Sequence, residues 1–118
     1  MGRRQRQRRS SPERTGAATS EYLDAEGNAL ILRNGLSAGT LRRLAALERT
    51  PAATGEDLWQ RQGEFLFERL VVSWTIAGLP LTERELLGRY RMADAQTRGW
   101  VRETIVEHLR RHQPEARV

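Results

Sequence analysis

Two histidines are the residues of this chain whose spacing is best suited to chemistry. His108 and His112 are four positions apart, so on a helix they share one face and could hold a metal ion. No glutamate lies between them as in the HExxH pattern of zinc peptidases, and no third ligand is evident. Because both lie near the predicted end of a helix, a favourable interaction with the helix dipole is the better interpretation. We predict no metal site.

Paired carboxylates are the next candidates, since two of them can divide the roles of general acid and general base. Glu64 and Glu68 fall on a predicted solvent face, and Glu83 and Glu85 lie at a predicted helix start. The serines lack a GxSxG context, the glycines are too scattered for a phosphate loop, and the chain has no cysteine. We therefore predict that the protein is not an enzyme and uses no cofactor.

The net charge of the chain lies at its N-terminus. The formal net charge is +5, and residues 1–19 hold six arginines against one glutamate, which accounts for all of it. Residues 1–20 offer almost no apolar surface for a core, so we predict a disordered arginine-rich tail. As a nucleic-acid-binding arm, the tail would use Arg3, Arg4, Arg6, Arg8 and Arg9. We consider three alternatives to a nucleic-acid-binding arm. The tail contacts polyanions non-specifically, has no function, or is translated from a start codon assigned too early.

The remaining chain divides into a single domain at residues 21–113 and a short polar tail at residues 114–118. The stretch EYLDAEGNALILR places apolar patches on either side of a turn cluster, which predicts a β-hairpin. No apolar run reaches the roughly 20 residues of a membrane helix. We expect a cytoplasmic protein with no membrane contact.

Four helix starts follow the hairpin. Ser37 is placed to cap a helix that runs to about Arg49, and Thr54 begins a long helix that ends near Ala77. Thr82 and Glu85 form a capping box for a third helix. The last helix should span about Asp94 to Arg111. Its inner stripe should consist of Trp100, Val101, Ile105, His108 and Leu109.

The second half of the long helix is open to two interpretations. From Leu70 the sequence LVVSWTIAG is apolar on all sides, which is typical of a central buried helix. The same residues favour a buried strand, because several are β-branched. We favour a helix because positions 59, 66, 70, 74 and 77 lie on one helical face, with Gly78 as its C-cap. The predicted fold class is therefore mainly α, a small bundle of about four helices with an N-terminal β-hairpin and a disordered basic tail.

Two blocks of the domain resemble the tail assembly chaperones of long-tailed bacteriophages (siphoviruses). The first block is EYLDAEGNALILRNGLSAGTLRRL, and the second is FLFERLVVSWTIAGLPLTERELLGRY. Related phage proteins show a comparable V-x-x-W helix followed by a Pro-Leu turn. The resemblance covers residues 21–112, and the arginine-rich tail departs from it.

The resemblance implies a non-enzymatic protein of the host cytoplasm that binds the tape-measure protein. It would shield that long apolar helical chain until the tail-tube subunits polymerise around it. Such a role needs apolar grooves between helices that accept partner helices. Trp59 precedes the dense apolar part of its helix, where an indole at the edge of a bundle can anchor a partner. The partner-binding candidates are Leu58, Trp59, Phe65 and Leu87.

Overall fold

A computed structural model describes residues 18–49 and 54–116 of the chain. The strands are β1 (Thr19–Leu23), β2 (Ala29–Arg33), β3 (Val71–Ile76) and β4 (Leu79–Pro80). The helices are α1 (Ala38–Arg49), α2 (Gly55–Leu70), α3 (Leu86–Met92) and α4 (Ala95–His112), and a 3-10 turn at Glu83–Glu85 leads into α3. The nucleic-acid candidates Arg3, Arg4, Arg6, Arg8 and Arg9 lie outside the described residues.

The four strands form one antiparallel sheet in the order β1-β2-β3-β4. β1 and β2 pair as the expected hairpin, and the Asp24 carboxylate accepts hydrogen bonds from the backbone N–H groups of Glu26 and Asn28 in its turn. β2 pairs on its other edge with β3, with a register shift between Ile31 and Leu32. The hairpin is therefore one half of a larger sheet.

The prediction of a mainly α bundle is wrong, and the error lies at the end of α2. The helix stops at Leu70, and Val71 already has the extended backbone of β3. The β-branched residues of this segment adopt the strand that the alternative interpretation described. Trp74 is buried as expected, but it lies on a strand beside Leu30 of β2. The fold is a compact α/β arrangement of four helices and a four-stranded sheet.

The residues expected to end the long helix instead form a hairpin turn. Ala77 and Gly78 both have positive φ angles, 53° and 79°, between the paired residues Ile76 and Leu79. Two consecutive residues of positive φ in a two-residue loop correspond to a type I′ turn, whose twist matches the flanking strands. The backbone N–H of Ala77 donates to the Asn28 side chain at 2.9 Å, which links this turn to the β1-β2 turn.

The helices pack on one face of the sheet. Leu30, Leu32 and Trp74 contribute that face, and they join residues of all four helices in one core cluster. The Phe67 ring of α2 stacks on Tyr90 of α3 with the ring centroids 4.6 Å apart, and it meets Trp74 edge to face. The aromatic contacts therefore connect the end of α2 to both α3 and the sheet.

The helix starts lie where the local signals place them. Ser37 and Thr54 each accept a backbone hydrogen bond from the residue three positions on, and Asp94 does the same for α4. The Glu85 carboxylate accepts from both the backbone N–H and the hydroxyl of Thr82, each at 2.9 Å. These caps satisfy N–H groups that a helix cannot pair internally.

The ends of the domain differ from the predicted boundaries. β1 begins at Thr19, so two residues assigned to the disordered tail belong to the sheet. At the other end, the segment after α4 continues to pack, because Ala116 is buried in the core cluster. Residues 1–17, 50–53 and 117–118 lie outside the described part of the chain.

Candidate functional site

Trp59 is a half-exposed tryptophan held in a defined position on the first turns of α2. Its side chain is 48% exposed, although the pattern of α2 places it on the same stripe as the buried Leu66 and Leu70. The guanidinium of Arg102, on α4, lies 4.5 Å from the centroid of the indole ring. A stacked cation and ring attract each other, more strongly where water is excluded. The indole is therefore presented to solvent on a fixed support.

Arg102 is almost fully buried beneath this tryptophan. It is 5% exposed, and its Nη1 donates to the backbone carbonyl of Trp59 at 2.6 Å. The α2 backbone comes close at Gly63, where an added Cβ would lie 2.7 Å from Nη1 of Arg102 and 3.1 Å from the Tyr90 hydroxyl. A glycine at this position makes room for the guanidinium between α2 and α3.

Burial governs the ionisation of both polar groups here. Loss of hydration lowers the pKa of Arg102 from its ordinary value, and the nearby Tyr90 opposes that shift only in part. Burial likewise raises the pKa of the Tyr90 phenol, so the phenol is neutral at physiological pH. Arg102 remains charged because a guanidinium is not deprotonated in proteins. The site therefore holds a buried cation beside a neutral hydroxyl.

Trp59 and Arg102 lie at the edge of an open groove of about 590 Å³ between α2 and α4, here called the α2/α4 groove. Its apolar lining includes Val106 and the backbone at Gly99. Its charged rim includes Glu107 and Arg110, which pair at 3.7 Å. The groove also includes Gln62 and Glu103. The geometry is that of a shallow cleft with a large aromatic side chain at one end.

A smaller cavity of about 110 Å³ lies on the other side of Trp59, towards α3. Glu64 and Arg91 line it and form an ion pair at 2.8 Å, which raises the pKa of Arg91. Glu64 is thus half of a surface ion pair, as expected for a solvated carboxylate. Tyr90 and Arg98 complete the wall around Trp59.

The other three predicted partner-binding residues are only partly exposed, and Leu87 lies on a different surface. Leu58 and Phe65 are half-buried, and Phe65 packs against the core with the Arg69 guanidinium 5.4 Å from its ring centroid. Leu87 lines a groove of about 350 Å³ between β3 and α3, which also includes Val72 and Glu83. Trp59 and Leu87 therefore belong to two separate grooves.

His108 is a buried structural residue. It is 0% exposed, and its Nε2 lies 2.6 Å from the backbone carbonyl of Arg33 on β2. A carbonyl oxygen only accepts, so Nε2 carries the proton and Nδ1 accepts from the Tyr22 hydroxyl at 2.6 Å. Burial of His108 agrees with its predicted place on the inner stripe of α4, whereas an interaction with the helix dipole does not describe its contacts. In residues 18–49 and 54–116, no group of three or more metal-ligating side chains is present.

Sequence reasoning did not identify Arg102 or Gly63. Arg102 lies three positions before the buried Ile105 and seven before the buried Leu109, so it falls on the inner stripe of α4. An arginine on an otherwise apolar stripe is the signal that could have identified it. Nothing local distinguishes Gly63, because its importance comes from a residue on another helix.

Comparison with known proteins returned no match: no family model, curated protein or solved structure matches the chain. Within the described ranges, no helix is long and apolar enough to cross a membrane.

Proposed function

We propose that this chain is a non-enzymatic binding protein that receives an apolar helical segment of a partner in the α2/α4 groove. The observation that carries the proposal is the half-exposed Trp59 supported from below by the buried Arg102. Tryptophan is enriched among residues that dominate binding energy, and a side chain fixed before binding loses less entropy on association. A cleft between two helices suits the helix-in-groove mode of recognition.

The partner we propose is a phage tape-measure protein, which makes this chain a tail assembly chaperone-like protein of the host cytoplasm. The support for this partner is the resemblance of residues 21–112 to that class of protein. The second block of that resemblance is a helix, strand, turn and helix, so the proposal now concerns a surface of an α/β domain. Partner binding at Trp59 does not depend on the fold being a bundle.

The test is co-purification of the full chain with the tape-measure protein of the genome that encodes it. Trp59→Ala should lower the affinity at least about 30-fold, the size expected for a central tryptophan of an interface. Leu79→Ala is the matched control, because Leu79 is 70% exposed on β4 and lies outside the groove. Failure of the wild-type chain to retain the tape-measure protein, or equal losses in the two variants, would contradict the proposal.

An alternative function is nucleic-acid binding through the N-terminal arginines, favoured by the concentration of the whole net charge in residues 1–19. It predicts RNA or DNA binding that weakens steeply with salt and disappears when residues 2–14 are deleted. Unchanged function of the truncated protein in vivo would exclude this alternative.

A further inference from the structure

Arg102 carries a positive charge into the protein interior without an acidic partner in the described part of the chain. The Nη1 atom of Arg102 donates to the backbone carbonyl of Trp59. The Nε atom of Arg102 is buried and has no hydrogen-bond partner. Native proteins pair buried charges because an unpaired ion in a dry interior is costly. A buried guanidinium with donors to spare therefore requires an explanation.

The groups around Arg102 do not neutralise it. The Tyr90 phenol is neutral, and the indole of Trp59 offers only its electron-rich face. Glu103 and Glu107 line the same groove, but neither forms an ion pair with Arg102. Glu107 faces Arg110 instead. Arg102 is thus a buried cation in the wall of the α2/α4 groove, and no acidic side chain of residues 18–49 and 54–116 pairs with it.

We propose that Arg102 binds a carboxylate, supplied by an aspartate or glutamate side chain of the helical segment that enters the α2/α4 groove. That the carboxylate belongs to the partner helix rests on the proposed function, whereas the inference that Arg102 binds a carboxylate rests on the surroundings of Arg102. A guanidinium presents parallel N–H donors in a planar fork that matches the two oxygens of a carboxylate. The partner helix then carries an acidic residue next to the apolar residue that contacts Trp59.

The probe is sodium acetate, compared with sodium chloride at equal ionic strength and pH 7, acting on the full chain. Acetate should shift the side-chain Nε–H resonance of Arg102 in a saturable manner, while chloride should not. It should also raise Tm by roughly 3–6 °C when present at about three times its dissociation constant. The resonance is assigned by its absence from the spectrum of Arg102→Lys.

The acetate response of two variants shows whether Arg102 is a carboxylate-binding residue or has only a structural role. Arg102→Met replaces an unpaired buried charge by an apolar chain of similar length, so it should fold and lose the acetate response. Arg42→Met is the matched control, because Arg42 is exposed on α1, and it should keep the full response. An acetate response of equal size in Arg102→Met, or no wild-type response beyond that of chloride, would overturn the inference. A response to inorganic phosphate but not to acetate would also overturn it.

The acetate titration needs no partner, so its outcome is independent of the co-purification test. Trp59→Ala leaves the Trp59 carbonyl in place and should retain acetate binding while losing the partner. In the co-purification assay, Arg102→Met should weaken tape-measure binding more than tenfold, and Arg102→Lys should restore only part of it. Retained partner binding by Arg102→Met would overturn the assignment of the carboxylate to the partner and leave the groove proposal standing.

Discussion

The hydroxyl of Tyr22 on β1 hydrogen-bonds Nδ1 of His108 on α4 at 2.6 Å, and the two rings meet edge to face. The other ring nitrogen of His108 donates to the Arg33 carbonyl on β2. One imidazole therefore ties both strands of the N-terminal hairpin to the last helix. Both contacts are half-buried, and the loss of hydration there favours the neutral form of His108.

Stability should fall as the pH drops below neutrality, owing to His108. Burial lowers the pKa of His108 below its ordinary value of 6.5, and the hydrogen bond to the Arg33 carbonyl opposes this shift only in part. The neighbouring His112 and Arg111 act in the same direction as burial. Above pH 6.5 the folded and unfolded states are both neutral at this residue, and its full contribution is present. As the pH falls through 6.5, the unfolded state takes up a proton first, so the free energy of unfolding decreases until the folded pKa is reached.

The measurement for this pH dependence is urea unfolding between pH 8 and pH 5. His108→Gln should flatten the pH dependence between pH 7 and pH 5, although it lowers stability overall. His112→Gln is the comparison variant: it should keep most of the wild-type slope, because burial is the main cause of the lowered His108 pKa and His112 is a lesser one. Hydrogen bonds lower the pKa values of the Asp24 and Asp94 carboxylates, so these groups change the stability of the protein only below pH 5. An unchanged slope in His108→Gln would contradict the assignment.

Tyr22→Phe should destabilise the protein by about 1–2 kcal/mol, because it leaves Nδ1 of the buried His108 without a donor. The ring contact is retained in this variant, so the loss reports the hydrogen bond alone. Equilibrium unfolding in urea measures it. In the His108→Gln background the same substitution should cost less, and additive losses would argue against a direct coupling.

Ala77→Asn should stabilise the protein by about 0.5 kcal/mol. Ala77 has a φ angle of 53°, which costs energy for a residue with a Cβ, whereas asparagine tolerates this conformation and favours type I′ turns. Gly78→Ala should have the opposite effect, a loss of about 1 kcal/mol, because Gly78 has a φ angle of 79° that disfavours a residue with a Cβ. Nothing lies within 4 Å of the added Cβ, so the loss reports the backbone conformation alone. Thermal unfolding distinguishes the two, and a common sign for both substitutions would refute a type I′ turn.

Gly63→Ala should destabilise the protein by about 1–2 kcal/mol even though alanine is the better helix former. The added Cβ would lie 2.7 Å from the Arg102 Nη1, so the guanidinium must move and its bond to the Trp59 carbonyl must weaken. Gly88→Ala on α3 is the matched control, since nothing lies within 4 Å of its added Cβ. That control should gain about 0.5–1 kcal/mol.

Tryptophan fluorescence gives a second check on Gly63→Ala. Displacement of Arg102 should alter the emission of Trp59, which a Trp59→Phe background identifies among the three tryptophans. A stable Gly63→Ala protein with unchanged emission would show that the guanidinium does not need this space.

Local features of the sequence predicted local features of the structure well. The caps at Ser37, Thr54 and Thr82 need only neighbouring residues, and so does the Asp24–Asn28 turn. Of the predicted inner stripe of α4, Trp100 is half-buried and the other four members are buried: Val101, Ile105, His108 and Leu109. Trp59 shares the predicted stripe of α2 with Leu66 and Leu70, yet only the two leucines are buried.

The segment Val71–Ile76 was predicted wrongly because its state depends on a distant partner. An apolar segment of this length is compatible with a buried helix and with a buried strand, and the periodicity of its residues does not distinguish these two structures. Pairing with β2 satisfies the backbone of both strands, and β2 lies far away in the sequence. The structure of Ala77-Gly78 also depends on its context: the two residues form a hairpin turn, and not a helix end, because β4 pairs with β3.

By itself, the sequence determined the helix starts, the first hairpin, the inner stripe of α4 and the confinement of net charge to the N-terminus. Each of these depends on residues a few positions apart, or on composition. Only the tertiary structure decided that β3 is a strand, that Arg102 is buried under Trp59 and that His108 links the hairpin to α4. Those outcomes depend on contacts between distant segments, where burial and the pairing of polar groups override the preference of each segment alone.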